Sequence, residues 1–107
     1  MAKYLMIESR DPQEAAAVGE FTDLARDLQA AGNDVTLYLV QNGVFGARKG
    51  FQGSRVAQLG KVSVLADDFS LRQRGITDGE IVSGVRASGI GALVDLLAEP
   101  GVRAMWH

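Results

Sequence analysis

One stretch of this sequence combines glycines and basic side chains in a way that could bind a ligand. Residues 43–55 contain four glycines together with Arg48, Lys49 and Arg55. Glycines let main-chain N–H groups come close to a ligand, and guanidinium and ammonium groups attract anions. The segment therefore predicts a small-molecule or anion site. The alternative is an exposed loop whose charges are simply solvated, and loop composition alone favours neither.

Two adjacent carboxylates, Asp67 and Asp68, follow a short apolar run. Such a pair could hold a metal ion or act as an acid and a base. It could instead begin a helix, where aspartate accepts hydrogen bonds from free main-chain N–H groups and interacts with the helix dipole. We favour the helix start, because two neighbouring residues in extended chain point to opposite faces and no third metal ligand is evident. We predict no bound metal and no cofactor.

The residues that are missing restrict the chemistry further. The chain contains no cysteine and one histidine, His107. Without cysteine there is no thiolate nucleophile and no cysteine metal site. His107 is the last residue of the sequence, and residues in that position are usually mobile. Since a catalytic triad needs a fixed imidazole, we expect His107 to have no catalytic role.

Apolar patterns in the first third of the chain predict a strand, a helix and a second strand. Residues 4–7 form a short continuous apolar run, typical of a strand buried on both faces. Asp11, Pro12 and Glu14 then have the spacing of a helix capping box, and apolar residues recur at helical spacing up to Ala31. Gly32 predicts the helix end. Residues 35–40, which are β-branched, aromatic or apolar, predict the second strand.

The remaining elements are shorter. Residues 41–54 are long for a plain connection and predict either a functional loop or a short helix. A third strand is predicted at 62–65, a short helix at 67–74 ended by Gly75, and a brief fourth strand at Ile81 and Val82. Ser88 could cap a last helix, and Val102–Trp106 would close the sheet. We expect Trp106 to cover the core, with a subunit interface as the alternative.

Alternating strands and helices predict an α/β fold with a mainly parallel sheet of about five strands and helices on both faces. Ligands of such sheets bind beyond the carboxyl ends of the strands. Segments 8–11, 41–48 and 66–69 should meet there. The predicted ligand-binding residues are Ser9, Asn42, Gly43, Arg48, Asp67 and Asp68.

Length and composition limit the class of protein. The 107 residues suit a single domain spanning 1–107, with 47% hydrophobic and 22% charged residues. A net charge of −2 argues against nucleic-acid binding, which normally needs a basic excess. No apolar run approaches the roughly 20 residues of a membrane helix, and the first residues do not resemble a signal peptide. We therefore expect a cytoplasmic protein that binds neither nucleic acid nor membrane.

Four segments in order resemble the DsrE/DsrF/DsrH-like family, which includes small sulfur-relay subunits such as the Tus proteins. They are KYLMIESRDP, VTLYLVQNGVFGAR, VSVLADDFSLRQRGI and LVDLLAEPGVRAMWH, and together they extend over nearly the whole chain. The resemblance implies a flavodoxin-like three-layer fold. It also implies assembly into a homo-oligomer, a trimer or hexamer, or into a mixed complex with cysteine-bearing homologues.

The chain departs from that family at the residue that does the chemistry. Sulfur-transferring members carry a persulfide on a cysteine just after the third strand or near the carboxyl end. Here the first position falls near Asp67, and the second stretch reads Arg103 to His107 without a cysteine. A carboxylate cannot hold a persulfide. The resemblance thus predicts a non-catalytic subunit or binding module associated with sulfur metabolism, and the alternative is a nucleotide-, phosphate- or other small-molecule-binding domain.

Overall fold

The computed structural model describes residues 1–50 and 55–107, and these form one five-stranded parallel sheet with helices on both faces. The strands are β1 (Lys3–Glu8), β2 (Asp34–Leu39), β3 (Ser63–Asp67), β4 (Val85–Ser88) and β5 (Val102–Trp106). The helices are α1 (Ala17–Ala30), α2 (Asp68–Gln73) and α3 (Ile90–Ala98). The predicted α/β fold is confirmed.

The strand order is β4-β3-β2-β1-β5, and every neighbouring pair is parallel. The chain therefore builds the sheet outward from β1 to β4 and then returns to place β5 on the other side of β1. This puts the topological switch point between β1 and β5, whereas in the 2-1-3-4-5 order of flavodoxin it lies between strands 1 and 3.

The two faces of the sheet are covered unequally. One face packs against α1 and α2 and contains most of the core, with Met6, Leu37 and Val64 from the three central strands. The other face has a smaller cluster in which Leu93 of α3 meets Leu5, Ile7, Tyr38 and Leu65. Because successive side chains of a strand alternate between faces, the buried runs of β1 to β3 supply both clusters.

Helix α1 starts later than its sequence suggests, so the predicted capping box at Asp11 is wrong. The helix begins at Ala17, and Ala16 provides no side-chain cap. Asp11 instead caps a separate turn: its Oδ1 accepts a hydrogen bond from the Gln13 N–H at 2.9 Å. The helix ends as predicted, since Gly32 follows it with a φ of +96°, a left-handed conformation that glycine adopts without strain.

The fourth strand and the start of the last helix also differ from the predictions. Ile81 makes only an isolated antiparallel bridge with Arg48, while β4 lies at Val85–Ser88. This edge strand has the sequence VRAS, in which apolar and polar residues are equal in number and none is buried, so it carries no continuous apolar signal. Ser88 is its last residue and caps nothing. The N-cap position of α3 is Gly89, which has no side chain.

The long connection after β2 contains a short helix, one of its two predicted forms. Residues Gln41–Ala47 form a 3₁₀ helix in which Gly43, Val44, Gly46 and Ala47 are buried. Residues 51–54, including Gly53 of the predicted binding segment, lie outside the described residues. Among the described residues, no helix is long and apolar enough to cross a membrane.

Candidate functional site at the carboxyl ends of the strands

The predicted site residues do lie along one edge of the sheet, because the carboxyl ends of parallel strands meet there. Two hydrogen bonds tie the 3₁₀ helix after β2 to helix α2 after β3. The Gln41 N–H donates to Ser70 Oγ at 2.9 Å, and Arg74 Nε donates to Asn42 Oδ1 at 3.0 Å. These bonds fix the spacing between the two connections that form the centre of the edge.

Asp67 is the buried anchor of this edge and caps helix α2, as its position predicts. Its Oδ2 accepts hydrogen bonds from the Ser70 N–H at 3.0 Å and from the Ser70 hydroxyl at 2.6 Å. Only 4% of Asp67 is exposed. A carboxylate occupied in this way is structural and is not available as a ligand for a small molecule.

The Tyr38 hydroxyl reaches the same carboxylate from β2. It lies 3.4 Å from Asp67 Oδ1 and 3.2 Å from the Gly89 carbonyl oxygen, and its single proton can be donated to either. Burial, followed by the charge and hydrogen bond of Asp67, raises the pKa of Tyr38 from 10.0 to about 12. Because the folded-state pKa is raised, the stability that the neutral phenol contributes is present below pH 10 and is lost as the pH rises through about 12.

Asp68, the second predicted carboxylate, does not converge with Asp67. It lies in the first turn of α2, where its carboxylate is 3.8 Å from Arg72 Nη1 one helical turn later. A partly exposed pair of this kind contributes little to stability. Among residues 1–50 and 55–107, no three His, Asp or Glu side chains cluster closely enough to hold a metal ion.

Gly43 lies where the 3₁₀ helix passes closest to strand β1. A Cβ atom at this position would be 2.2 Å from the Glu8 carbonyl oxygen and 2.9 Å from the Glu8 carbonyl carbon. That carbonyl also accepts the Val40 N–H at 3.0 Å, so it is fixed in place. The sequence predicts that Gly43 brings the main chain close to a ligand. In the structure, the close approach is to the protein's own β1 strand.

Two arginines flank the ring of Phe45 on this edge. The guanidinium carbons of Arg48 and Arg74 each lie 5.9 Å from the ring centroid, within the range of a cation–π interaction. No carboxylate among the described residues lies within 4.0 Å of either guanidinium. Because Asn42 Oδ1 accepts from Arg74, its amide N–H₂ group stays available as a donor. We refer to Asn42, Phe45, Arg48 and Arg74 as the arginine cluster.

Of the other predicted cationic and polar residues, Arg55 and Ser9 are already paired, whereas Lys49 forms no ion pair within the described residues. Arg55 forms an ion pair with Asp23 of α1. Ser9 Oγ donates to the main-chain oxygen of His107 at 3.0 Å. Of the predicted ligand residues, Asn42 and Arg48 therefore meet in one cluster, while Ser9 and Asp67 serve internal contacts. Sequence reasoning misses Arg74 and Phe45, because each looks like an ordinary solvated or packing residue.

A second pair of side chains, also missed from the sequence, joins the ends of β1 and β5. Glu8 is 1% exposed, and its Oε1 lies 2.7 Å from Nδ1 of His107. The other oxygen, Oε2, accepts the Arg10 N–H at 3.0 Å. The imidazole also stacks on Phe21 of α1, with ring centroids 5.0 Å apart and planes inclined by 22°.

His107 is thus held in place, and the expectation that it would be mobile is wrong. Its N–H donates to the Ile7 carbonyl oxygen at 2.8 Å, and its own carbonyl oxygen accepts the Ser9 N–H at 3.0 Å. These bonds continue the β1–β5 ladder beyond Trp106. The sequence signal is the charged Glu8 directly after the apolar run of β1, but its partner can be found only by knowing that β5 pairs with β1.

Two of the cavities bordered by described residues bear on this site. A cavity of about 20 Å³ touches Glu8, Thr22, Gly43 and Arg55, and it is large enough for one water molecule. A wider groove of about 490 Å³ lies between α2 and β4, where Leu71 and Ile76 form the apolar part and Asp68, Arg72 and Asp78 lie at the rim.

Comparisons with known proteins identify the fold and nothing further. No protein-family model matches the sequence, and no curated protein matches it. Among solved structures, the chain is similar to the YchN protein of E. coli, with a TM-score of 0.80 and 20% identity over 98% of this chain and 100% of the other. It is also similar to MTH1491 of Methanobacterium thermoautotrophicum, a protein of unknown function, with a TM-score of 0.81 and 20% identity over the full length of both chains.

Proposed function

We propose that this protein is a non-catalytic, oligomeric member of the DsrE-like group that acts as an accessory subunit or binding module in sulfur metabolism. The proposal rests on the resemblance of four ordered segments and on the compact α/β fold that accompanies them. The observation that carries the non-catalytic part is the end of β3. The chain has no cysteine, and the side chain at this end, Asp67, is buried and caps α2 through one oxygen while the other faces the Tyr38 hydroxyl.

The sheet face covered by α3 supports the oligomeric part of the proposal. Helix α3 presents Ile90, Val94 and Leu97 at helical spacing, and each is more than half exposed. Trp106 is paired in register with Ile7, whose side chain packs under α3, so it lies on the same face and is 66% exposed. The expectation that Trp106 covers the core is therefore wrong. Exposed apolar groups gathered on one face are typical of an interface.

Charges around this face suit a second copy of the same chain. Arg86 is paired in register with Leu65 and so shares the α3 face, and Asp95 is an exposed residue of α3 itself. Within the described residues, neither side chain forms an ion pair. This surface therefore carries an unpaired positive charge and an unpaired negative charge beside an apolar area. Two copies can pair these opposite charges across the contact while they bury the apolar area.

A charge placed in the apolar area tests this interface. The Val94→Asp variant is expected to remain folded but to lose the oligomer, because an unpaired carboxylate would be buried in the interface. The matched control is Leu24→Asp, which puts the same charge at an exposed apolar position on α1, on the opposite side of the sheet. Light scattering at micromolar concentration should show a smaller mass for Val94→Asp only. Equal masses for both variants and the wild type would contradict the proposed interface.

The second candidate function, an anion-binding domain, is favoured by the arginine cluster. Two guanidinium groups flank one aromatic ring beside a free amide donor, and the only recorded carboxylate interaction of either, among the described residues, is the longer-range one between Arg48 and Glu80. Because neither guanidinium forms a close ion pair within the described residues, an oxyanion such as phosphate would be bound by charge-assisted hydrogen bonds. This function is compatible with a binding module but does not depend on the sulfur-metabolism assignment.

Titration with inorganic phosphate tests the anion site. Arg48→Gln and Arg74→Gln are each expected to weaken binding about tenfold, the effect of losing one charge-assisted contact. Arg103→Gln is the matched control, because this exposed arginine lies 5.9 Å from the ring of Tyr4 at the amino end of β5 and should leave the affinity unchanged. Amide chemical-shift changes would report binding. The anion-binding proposal is contradicted if phosphate causes no saturable chemical-shift change in the wild type. It is also contradicted if all three variants weaken phosphate binding equally.

A further inference from the structure

The pair formed by Glu8 and His107 lies at the point of the fold where α/β proteins commonly bind ligands. In open parallel sheets, the crevice outside the carboxyl ends of the strands at the topological switch point is the usual site. Here that point falls between β1 and β5. Glu8 is the last residue of β1, and His107 directly follows β5. The contact between the two side chains therefore bridges the switch point itself.

Glu8 is a buried carboxylate that directly follows an apolar run. Residues Leu5, Met6 and Ile7 before it are buried apolar side chains, and an apolar residue could complete the run. A buried carboxylate carries a desolvation cost of several kcal/mol unless good partners offset it. Glu8 has two such partners, the imidazole of His107 and the Arg10 N–H. The arrangement holds a negative charge in a fixed position next to one imidazole nitrogen.

The geometry also determines which imidazole nitrogen remains available. Glu8 is an acceptor when ionised, so the 2.7 Å contact assigns the proton of the neutral imidazole to Nδ1. Nε2 then keeps its lone pair. It makes no hydrogen bond with any residue of 1–50 or 55–107. Phe21 stacks on one face of the ring, and 22% of the His107 side chain is exposed.

We propose that Glu8 and His107 form a proton-transfer site, in which Nε2 of His107 takes a proton from a small molecule bound over the ends of β1 and β5. The ligand class is a weak acid with an O–H or S–H group. In the step, that bond breaks, an Nε2–H bond forms, and the ligand atom keeps the electron pair as an anion. The proton later passes to water.

Glu8 is the positioning residue of this site. It keeps the Nδ1–H tautomer and stabilises the imidazolium that forms when Nε2 is protonated, the arrangement by which carboxylates support histidine bases in other proteins. The inference goes beyond the proposed role in sulfur metabolism and uses neither the end of β3 nor the face of α3, so the non-catalytic part of that role then refers to sulfur transfer alone. Failure of either proposal leaves the other in place.

The reactivity of the one histidine toward diethyl pyrocarbonate tests the site in the intact chain. This probe acylates an imidazole nitrogen that carries a free lone pair, and carbethoxyhistidine has its own ultraviolet absorbance. Wild-type His107 is expected to be acylated at Nε2, and His107→Gln to show no signal. Glu8→Gln should slow the reaction measurably, because a neutral amide makes the imidazole less basic than a carboxylate does. Amide spectra of Glu8→Gln would show whether the fold is kept.

The tautomer of His107 in the wild-type chain provides a second readout that does not need a variant. Nitrogen NMR of labelled protein is expected to show a protonated Nδ1 and an unprotonated Nε2 when the imidazole is neutral. A predominant Nε2–H tautomer, or a wild-type histidine that does not react with the probe, would overturn the proposal. If a folded Glu8→Gln variant reacts as fast as the wild type, Glu8 is not the positioning residue of the proposed site.

Discussion

The Gly43→Ala variant is expected to lose about 3 kcal/mol or more of unfolding free energy, a large effect for one methyl group. The added Cβ would be 2.2 Å from the Glu8 carbonyl oxygen, and neither group can rotate away, because both are fixed to the main chain. The 3₁₀ helix Gln41–Ala47 would have to move off the end of β1. That movement would disturb the Val40 N–H bond to Glu8 and the Gln41 N–H bond to Ser70.

Gly79→Ala is the matched control for this substitution. Gly79 lies in the short 3₁₀ helix Asp78–Glu80 and does not have a positive φ. Apart from its chain neighbours, no atom lies within 4 Å of the place that its new methyl group would occupy. The replacement should change the unfolding free energy by no more than about 0.5 kcal/mol. Chemical denaturation of both variants measures the difference. If Gly43→Ala is as stable as Gly79→Ala, the 3₁₀ helix is not held against β1 as described.

The Asp67→Ala variant is expected to lose about 2–3 kcal/mol of unfolding free energy. The substitution removes the cap of α2, which is worth about 1 kcal/mol, and leaves the buried Ser70 hydroxyl and N–H without their acceptor. The Tyr38 hydroxyl would lose one of its two neighbours as well. For a domain of this size, such a loss lowers the melting temperature by roughly 10 °C or more.

Two further variants separate the cap from simple loss of charge. Asp68→Ala removes the neighbouring carboxylate, whose only ion-pair contact among the described residues is partly exposed, and should cost about 0.5 kcal/mol or less. Asp67→Asn keeps a side-chain acceptor for the Ser70 N–H and should recover part of the loss. Thermal unfolding followed by circular dichroism compares the three. Equal destabilisation by Asp67→Ala and Asp68→Ala would contradict the assignment of Asp67 as the buried anchor.

The sequence predicts the layers of this fold well because local patterns determine them. Each of the strands β1, β2 and β3 is recognisable from its own short apolar run, and helix α1 from its apolar stripe. Glycines mark the helix ends. Asp67 can be recognised as a helix cap because capping depends on residues three positions apart. The edge strand β4 cannot be found in this way, because its four residues contain no apolar run. Its place in the sheet comes from its pairing with β3.

The candidate site is only partly predictable because its contacts join distant parts of the chain. The glycine-rich segment and its flanks point to Asn42 and Arg48, but Arg74 joins them from the end of another helix. Glu8 and His107 are 99 residues apart and meet only because β5 lies beside β1. No local pattern encodes that neighbour relation. The position of His107 at the end of the sequence favours mobility, whereas the strand ladder holds it.

The resemblance and the residues contribute different parts of the functional proposal. The order of the four segments suggests the DsrE-like group and its habit of assembly. The absence of cysteine removes sulfur transfer by this chain, since no other side chain forms a persulfide. The exposed apolar residues of α3 and Trp106 provide a surface through which an accessory subunit could assemble. The role proposed here is therefore that of a subunit that acts in association with other chains.

The molar mass of the wild-type protein in solution tests the central claim most directly, because an accessory subunit of this kind must assemble. Light scattering at micromolar concentration is expected to give three or six times the 11.4 kDa mass of one chain, corresponding to a trimer or a hexamer. A mass of 11.4 kDa that stays constant as the protein concentration rises would show a monomer and contradict the proposed function.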